Sequence, residues 1–220
     1  MARQPFVLCV VAIGALIIGA CSSSQSATPP PASSTTTSTS VADARPVVGI
    51  DGNGPKVVAL PSTLSLPEIV HARYSGSGNF VVKSRSANGT DTGILAVANG
   101  QYDGTFPVGF VDARGAPTTA LDIEASGPWH LDIAPAALAP RLNAGVSGSG
   151  DAVLAYDGPR ARFRVRHAAK MPFVLRTFGA TDLRFARVGE SIDTPVDIPA
   201  GPLFVAVTSP GIWSITADKG

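Results

Sequence analysis

Cysteine is almost missing from this sequence, because Cys9 and Cys21 are its only two examples and both lie near the N terminus. Histidine is nearly as scarce, and His71, His130 and His167 lie far apart along the chain. Beyond Cys21 the chain therefore offers no disulfide and no cysteine ligand for a metal. The histidines form no His-x-His or His-x₃-His pattern, so we predict neither a metal site nor a cofactor.

An excess of charge of one sign is lacking as well. The chain has 17 lysine and arginine residues against 16 acidic residues, and without Arg3 the two numbers are equal. A protein that binds nucleic acid or acidic polymers over its whole surface usually carries a clear positive excess. We therefore predict no nucleic-acid partner.

Long apolar runs are absent apart from Phe6–Ala20, which follows the positive charge of Arg3. This run is shorter than the roughly 20 residues that span a bilayer, which is typical of a signal peptide that is removed. It ends in Ile18-Gly19-Ala20-Cys21, which resembles the lipobox of bacterial lipoproteins. The resemblance implies a signal peptide over residues 1–20 and a lipid on the thiol of Cys21. The alternatives are a plain cleaved signal peptide and an uncleaved anchor helix.

The lipobox resemblance also implies a location and a partner. Two acyl chains on Cys21, at about 0.8 kcal/mol per buried CH₂, would anchor the protein stably to the cell membrane on its extracytoplasmic face. Residues 22–40 are almost entirely serine, threonine and proline. With so little to bury, we predict a disordered tether over residues 21–46. Its composition resembles the O-glycosylated linkers of actinobacterial envelope lipoproteins.

The remainder of the chain contains an internal duplication. The matching blocks are Gly52–Ala59 with Gly148–Ala155, Arg73–Ser84 with Arg166–Thr177, and Leu121–Leu131 with Val205–Ile215. The third block brings the two tryptophans of the protein, Trp129 and Trp213, into register. We therefore predict a first repeat over residues 47–133, a hinge over residues 134–142 and a second repeat over residues 143–220.

Each repeat has the pattern of a β protein. Glycine and proline number 23 and 19, which is too many for a helical fold, and no window keeps a period of 3.6 residues. Short apolar runs are separated by turn pairs such as Asn88-Gly89 and Asp157-Gly158. We predict an all-β fold of two tandem antiparallel β-sandwich repeats, with six or seven strands each, after the tether. The closing Gly-x-Trp strand resembles that of β-sandwich surface domains of actinobacteria, and this resemblance implies no activity.

A row of arginines in the second repeat is the most conspicuous charge pattern. Arg160, Arg162, Arg164 and Arg166 alternate with small or apolar residues, so on a strand they would share one face. The row is either a solvated outer face or a strip that binds an anionic envelope component or an acidic protein partner. Guanidinium groups favour the strip, because they form bidentate bonds with phosphate and carboxylate. A further possibility is that the more acidic first repeat docks on this row.

Enzyme chemistry has weaker support in the sequence. Ser75–Gly78 and Ser147–Gly150 come near the elbow of serine hydrolases but lack its leading glycine. Asp122 and Glu124 share a strand face, and with Asp132 they could supply a pair of glycosidase carboxylates, although a solvated acidic face explains them too. We therefore predict a lipid-anchored, non-enzymatic binding or structural module. The alternatives are a lipid or glycolipid carrier and, after it, a wall-acting hydrolase.

Overall fold

The computed structural model describes residues 47–61, 67–110, 117–179 and 181–218. The predicted signal peptide, the lipidation site Cys21 and the predicted tether lie outside the described residues. The described residues form antiparallel β-strands and one short 3₁₀ helix. No helix among them is both long and apolar enough to cross a membrane.

The first repeat forms two four-stranded antiparallel sheets. Sheet A has the order β1-β8-β3-β6, and sheet B has the order β2-β7-β4-β5. The strands are β1 (Val48–Asn53), β2 (Lys56–Ala59), β3 (Glu68–Tyr74), β4 (Asn79–Ser86), β5 (Asp91–Asn99), β6 (Tyr102–Val108), β7 (Thr118–Ala125) and β8 (Pro128–Pro135).

The second repeat also forms two four-stranded sheets. Sheet C has the order β10-β15-β12-β13, and sheet D has the order β9-β16-β11-β14. The strands are β9 (Gly145–Ser149), β10 (Ala152–Tyr156), β11 (Ala161–His167), β12 (Phe173–Gly179), β13 (Arg184–Arg187), β14 (Ile192–Ile198), β15 (Leu203–Thr208) and β16 (Ile212–Ala217).

The two repeats have the same topology. Adding eight to each strand number of sheet A gives the order of sheet D, and the same operation turns sheet B into sheet C. The predicted all-β fold with two antiparallel sandwiches is therefore confirmed. The predicted six or seven strands per repeat is too low, because each described repeat has eight. Strands such as β2 and β13 span only four residues, which is too short to show an alternation in sequence.

Each sandwich closes over its own apolar core. Phe80, Leu121 and Leu131 are fully buried in the first repeat, and Phe173 and Ile215 are fully buried in the second. Burying one such side chain contributes roughly 1.5–3 kcal/mol, so these inward positions supply the main driving force for the fold. The outward positions are then free to differ between the repeats.

A tryptophan fastens the first turn of each repeat to its last strand. The indole Nε1 of Trp129 donates to the carbonyl oxygen of Gly54 at 2.9 Å, and that of Trp213 donates to Gly150 at 2.8 Å. Gly54 and Gly150 have φ values of 76° and 77°, a region that favours glycine. The alignment of the two tryptophans in sequence thus corresponds to one hydrogen bond made twice.

The connection between the repeats is packed. Residues 134–142, the predicted hinge, begin with the end of β8 and continue into the 3₁₀ helix Ala136–Leu138. Ala136 and Ala139 are buried in a cluster that includes Val153 of the second repeat, and Leu142 joins the core of the second sandwich. This segment therefore contacts both sandwiches through buried side chains.

Candidate functional site: charged faces of two equivalent sheets

The arginine row lies on the outer face of sheet D. Along β11, Phe163, Val165 and His167 are buried, whereas Arg162 and Arg166 are exposed. Arg164 lies between these two and is partly exposed. The alternation in the sequence thus correctly places these arginines on one face, with Arg160 directly before the strand.

Aspartates from neighbouring segments lie on the same face. Asp193 and Asp197 belong to β14, which pairs with β11 along its whole length, and Asp218 follows β16 on the other side. Arg164 Nη1 donates to Asp193 Oδ1 at 2.7 Å, and its Nε lies 3.7 Å from Asp218. The hydrogen bond to Asp193 raises the pKa of Arg164, and the charge of Asp218 adds to this rise. The hydrogen bonds from Arg164 and Arg166 lower the pKa of Asp193. Four arginines and three aspartates leave this face with one net positive charge.

The aspartates orient two of the arginines through only one nitrogen. Arg162 donates from Nε to Asp197 at 3.2 Å, and Arg166 donates from Nε to Asp193 at 3.3 Å. A guanidinium has five N–H donors, and four of them are on the terminal nitrogens. The side chains of Arg162 and Arg166 are 59% and 54% exposed. Each guanidinium is therefore paired through Nε while more than half of its side chain stays exposed to an external anion.

The equivalent face of the first repeat, on sheet A, carries histidines instead. His130 Nδ1 lies 2.7 Å from Asp51 Oδ1, and its Nε2 lies 2.9 Å from Asp132 Oδ1. Asp132 also accepts from Arg73 at 2.8 Å. The carboxylates of Asp51 and then Asp132 raise the pKa of His130, and His130 in turn lowers the pKa of Asp132.

A second histidine pair and an open groove complete this face. His71 Nε2 lies 2.6 Å from Asp103 Oδ1 on the neighbouring strand β6. The groove has a volume of about 750 Å³, and its polar wall is formed by Asp51, Arg73, Asp103 and His130. The charge of this face depends on pH because its cations include His130, whereas the arginines of sheet D stay charged.

Sequence reasoning missed this network. From the sequence, His130 was considered only as a metal ligand and rejected for lack of a histidine pattern. Asp51 and His130 are 79 residues apart and meet because β1 pairs with β8. The comparison between the repeats contains a signal for this network. The alignment places Ser147 and Ser214 at the positions of Asp51 and His130, so both members of the pair differ together between the repeats.

A serine and a histidine meet in the second repeat, but the pair is buried. Ser209 Oγ lies 3.0 Å from His167 Nε2, and each residue is 1% exposed. Burial lowers the pKa of His167. The first repeat has Tyr74 at the place of His167. The hydroxyl oxygen of Tyr74 lies 2.8 Å from Ser126 Oγ in the corresponding turn, and the two groups form a hydrogen bond. The Ser209–His167 pair therefore fastens a turn, in the way that the tyrosine does.

The carboxylates considered for glycosidase chemistry are separated by the fold. Asp122 and Glu124 lie on β7 of sheet B, whereas Asp132 lies on β8 of the opposite sheet A. Asp122 pairs with Arg85 at 3.3 Å, and Glu124 pairs with Lys83. Across the described ranges, no group of three or more histidine, cysteine or acidic side chains is arranged to hold a metal ion.

The junction between the repeats does not use the arginine row. Tyr102 of the first repeat donates to Asp151 Oδ2 of the second at 2.8 Å, and the Ser209 amide donates to Asp151 Oδ1 at 2.8 Å. Burial raises the pKa of Asp151, although both hydrogen bonds oppose that rise. The suggestion that the first repeat docks on the row within the molecule is therefore wrong, because the row pairs with aspartates of its own repeat.

An apolar groove remains beside the junction. It has a volume of about 470 Å³, and three aromatic rings line it, those of Phe110, Phe178 and Phe204. The ring centroids of Phe178 and Phe204 lie 4.9 and 5.3 Å from that of Phe110. The first repeat contributes Phe110 and the second contributes the other two, so the groove exists only because the repeats pack together.

Comparisons with known proteins add little to this geometry. No protein-family model and no curated protein matches the chain. Among solved structures, the chain is similar to the CUB1-EGF-CUB2 domain of human MASP-1/3, with 9% sequence identity and a TM-score of 0.25. That match covers 80% of this chain and 96% of the other. At this identity and TM-score the likeness carries no argument about function, which is therefore inferred from the faces described above.

Proposed function

We propose that this protein is a lipid-anchored, non-enzymatic module that binds an anionic component of the cell envelope. The lipobox-like motif ending in Cys21 and the Ser/Thr/Pro-rich stretch after it support a tethered protein on the extracytoplasmic face of the membrane. The two filled sandwiches support a binding or structural role. Sheet D supplies the binding face, through Arg160, Arg162, Arg164 and Arg166.

One observation carries the binding proposal. Asp193 and Asp197 accept from Arg166 and Arg162 through Nε, which orients each guanidinium while more than half of its side chain stays exposed. Fixing a side chain before binding reduces the entropy lost on binding. Phosphate and carboxylate groups accept paired hydrogen bonds from such terminal nitrogens. An anionic polymer or lipid headgroup is therefore the kind of partner that this row fits.

The test of the row is a charge reversal, R162E together with R164E, in the chain from residue 22 onward, so that neither the acyl chains nor the signal peptide hold the protein on the membrane. We expect it to reduce sedimentation with isolated envelopes and with phosphatidylglycerol vesicles at least tenfold, since it converts two attractive contacts into repulsive ones. The matched control is K83E with R85E, which makes the same charge change on sheet B of the first repeat. Equal sedimentation of both variants and the native chain would overturn the proposal, provided that circular dichroism shows folded variants.

The anchor has its own test, the variant C21A. We expect loss of metabolic labelling with palmitate and loss of the processed form that begins at residue 21, because only the thiol can carry the thioether lipid. The variant C9A is the control, because Cys9 lies inside the predicted signal peptide and should label normally. Normal labelling of C21A would overturn the lipid anchor and leave the binding proposal to its separate test.

The apolar groove favours a second candidate function, a lipid or glycolipid carrier. Phe110, Phe178 and Phe204 give it an aromatic lining, and the ion pair between Arg141 and Asp157 lies at its edge. Mass spectrometry of solvent extracts from the purified chain tests this candidate. A lipid that co-purifies with the native chain and is lost in F178R supports it, whereas extracts without lipid beyond the anchor contradict it.

A further inference from the structure

The interface between the repeats joins two particular faces. Sheet A contributes Ile69 and Ala134 from its outer face, and sheet C contributes Val153, Ala155 and Ala206. The rings of Phe178 and Phe204 extend the same face of sheet C. The centre of the contact is therefore apolar. It joins sheet A of the first repeat to sheet C of the second, which corresponds in topology to sheet B of the first.

Each of the two joined faces has an equivalent in the other repeat, and neither equivalent is covered by a sandwich of the same chain. Sheet D of the second repeat corresponds to sheet A, and sheet B of the first corresponds to sheet C. A second molecule placed with its sheet D on sheet B of the first would repeat the internal contact. Such a head-to-tail contact does not close on itself and would continue into a chain of molecules.

Charged residues stand where that contact would form. On sheet D, Arg162 and Asp218 occupy the places of Ile69 and Ala134, as the strand registers show. Arg162 already pairs with Asp197, so burying this position would remove an ion pair from water.

The same holds on sheet B. Asp122 occupies the place of Ala206 and Arg85 that of Phe178, and these two charges pair with each other at 3.3 Å. Removing such a surface pair from water costs more than its weak attraction returns.

Shape opposes the contact as well. In the internal junction, Asp151 approaches β6 at Gly104, where a Cβ would lie 3.1 Å from that of Asp151. The second repeat has Thr194 at the place of Gly104, and the first has Pro55 at the place of Asp151. The free ends thus lack both the gap and the carboxylate that the internal junction uses.

We infer that the contact between the repeats is a docking mode for a second copy of this chain, and that Arg85, Asp122, Arg162 and Asp218 keep the native chain from using it. Repeat proteins in general need polar outer faces on their terminal repeats for solubility. Here that requirement limits the array to two sandwiches. The inference does not depend on the proposed binding function.

The test removes the charges on one end or both, in a full chain in detergent that also carries P55D and T194G. These two changes give the free ends the carboxylate and the gap of the internal junction. One variant carries R162I and D218A, a second carries R85F and D122A, and a third combines all four changes. We expect each two-site variant alone to sediment as the native chain does. We expect their mixture to form dimers, and the four-site variant to form a concentration-dependent series larger than a dimer.

Several results would overturn the inference. They are head-to-tail association of the native chain, association of a two-site variant with itself, and a folded four-site variant that sediments as the native chain does. If the four-site variant does not fold, its isosteric counterpart, with R162Q, D218N, R85Q and D122N, replaces it. That variant should at least double the weight-average molar mass at the highest concentration, and an unchanged mass would count against the inference.

Discussion

The two repeats share a fold and differ in what their outer faces meet. Inward positions keep the same chemistry, as Phe80 with Phe173 and Trp129 with Trp213 show. Outward positions change with their surroundings, so that Ile69 is covered at the junction while its counterpart Arg162 is exposed. The difference teaches that core packing fixes the topology of each repeat. Whether an outer face carries charge depends on whether it meets the other repeat or solvent.

The largest effect is expected at the shared tryptophans. W129A and W213A should each lower the free energy of unfolding by about 3–5 kcal/mol, because each removes a buried ring and its hydrogen bond. Urea denaturation followed by circular dichroism measures both. The two tryptophans make the same hydrogen bond in the two repeats. Clearly unequal losses in the free energy of unfolding would therefore contradict their equivalence.

A glycine substitution sharpens this comparison. A Cβ at Gly52 would lie 2.0 Å from the ring of Trp129, and one at Gly148 would lie 2.7 Å from the ring of Trp213. We expect G52A and G148A each to cost roughly 1–3 kcal/mol, with the larger loss for G52A. The same denaturation experiment decides the order, and a larger loss for G148A would contradict the geometry.

The next effect concerns a position where the repeats differ. D151A should cost about 1–3 kcal/mol, because it leaves the Ser209 amide and the Tyr102 hydroxyl without their common acceptor at the junction. P55A, at the equivalent exposed position of the first repeat, should stay within about 0.5 kcal/mol of the native chain. Equal losses in the free energy of unfolding would contradict this prediction, because they would show that Pro55 and Asp151 contribute equally to stability.

The smallest effect is a difference in pH dependence. His130 has a raised pKa, so its stabilisation is complete below the pKa of the unfolded chain and is lost as pH rises through the folded value. His167 has a lowered pKa, so stability falls as pH drops below the value in the unfolded chain. Between pH of about 7.5 and 5.5, acidification should therefore favour the first repeat's network and disfavour the second repeat's buried pair.

Titration by NMR of the two imidazoles measures this contrast directly. D51N should move the pKa of His130 back toward its ordinary value and leave that of His167 unchanged. A pKa of His130 below that of His167 would contradict both assignments.

The sequence predicted much of the fold because inward residues repeat. The blocks around Phe80 and Trp129 recur around Phe173 and Trp213, and each marks a strand that faces a core. Burial requires apolar side chains of similar size in both repeats. The matching apolar positions can therefore be recognised by comparing the two halves of this one sequence.

The charged faces were predicted only in part. The alternation of Arg162 and Arg164 with apolar residues shows their common face, but nothing local to β11 indicates Asp193 and Asp197. Those partners come from β14, and strand pairing between distant segments is set by the whole sandwich. The junction at Tyr102 and Asp151 was missed for the same reason.

Labelling of arginine side chains tests the central claim, that sheet D is the binding face and its sheet A counterpart is not. The full chain, bound to isolated envelopes or free in detergent, is treated with an arginine-specific dicarbonyl reagent and analysed by mass spectrometry. The account predicts that binding protects Arg160, Arg162 and Arg166 while Arg73 and Arg85 react as in the free chain. Protection of Arg73 instead, or equal reaction at all five residues in both states, would contradict it.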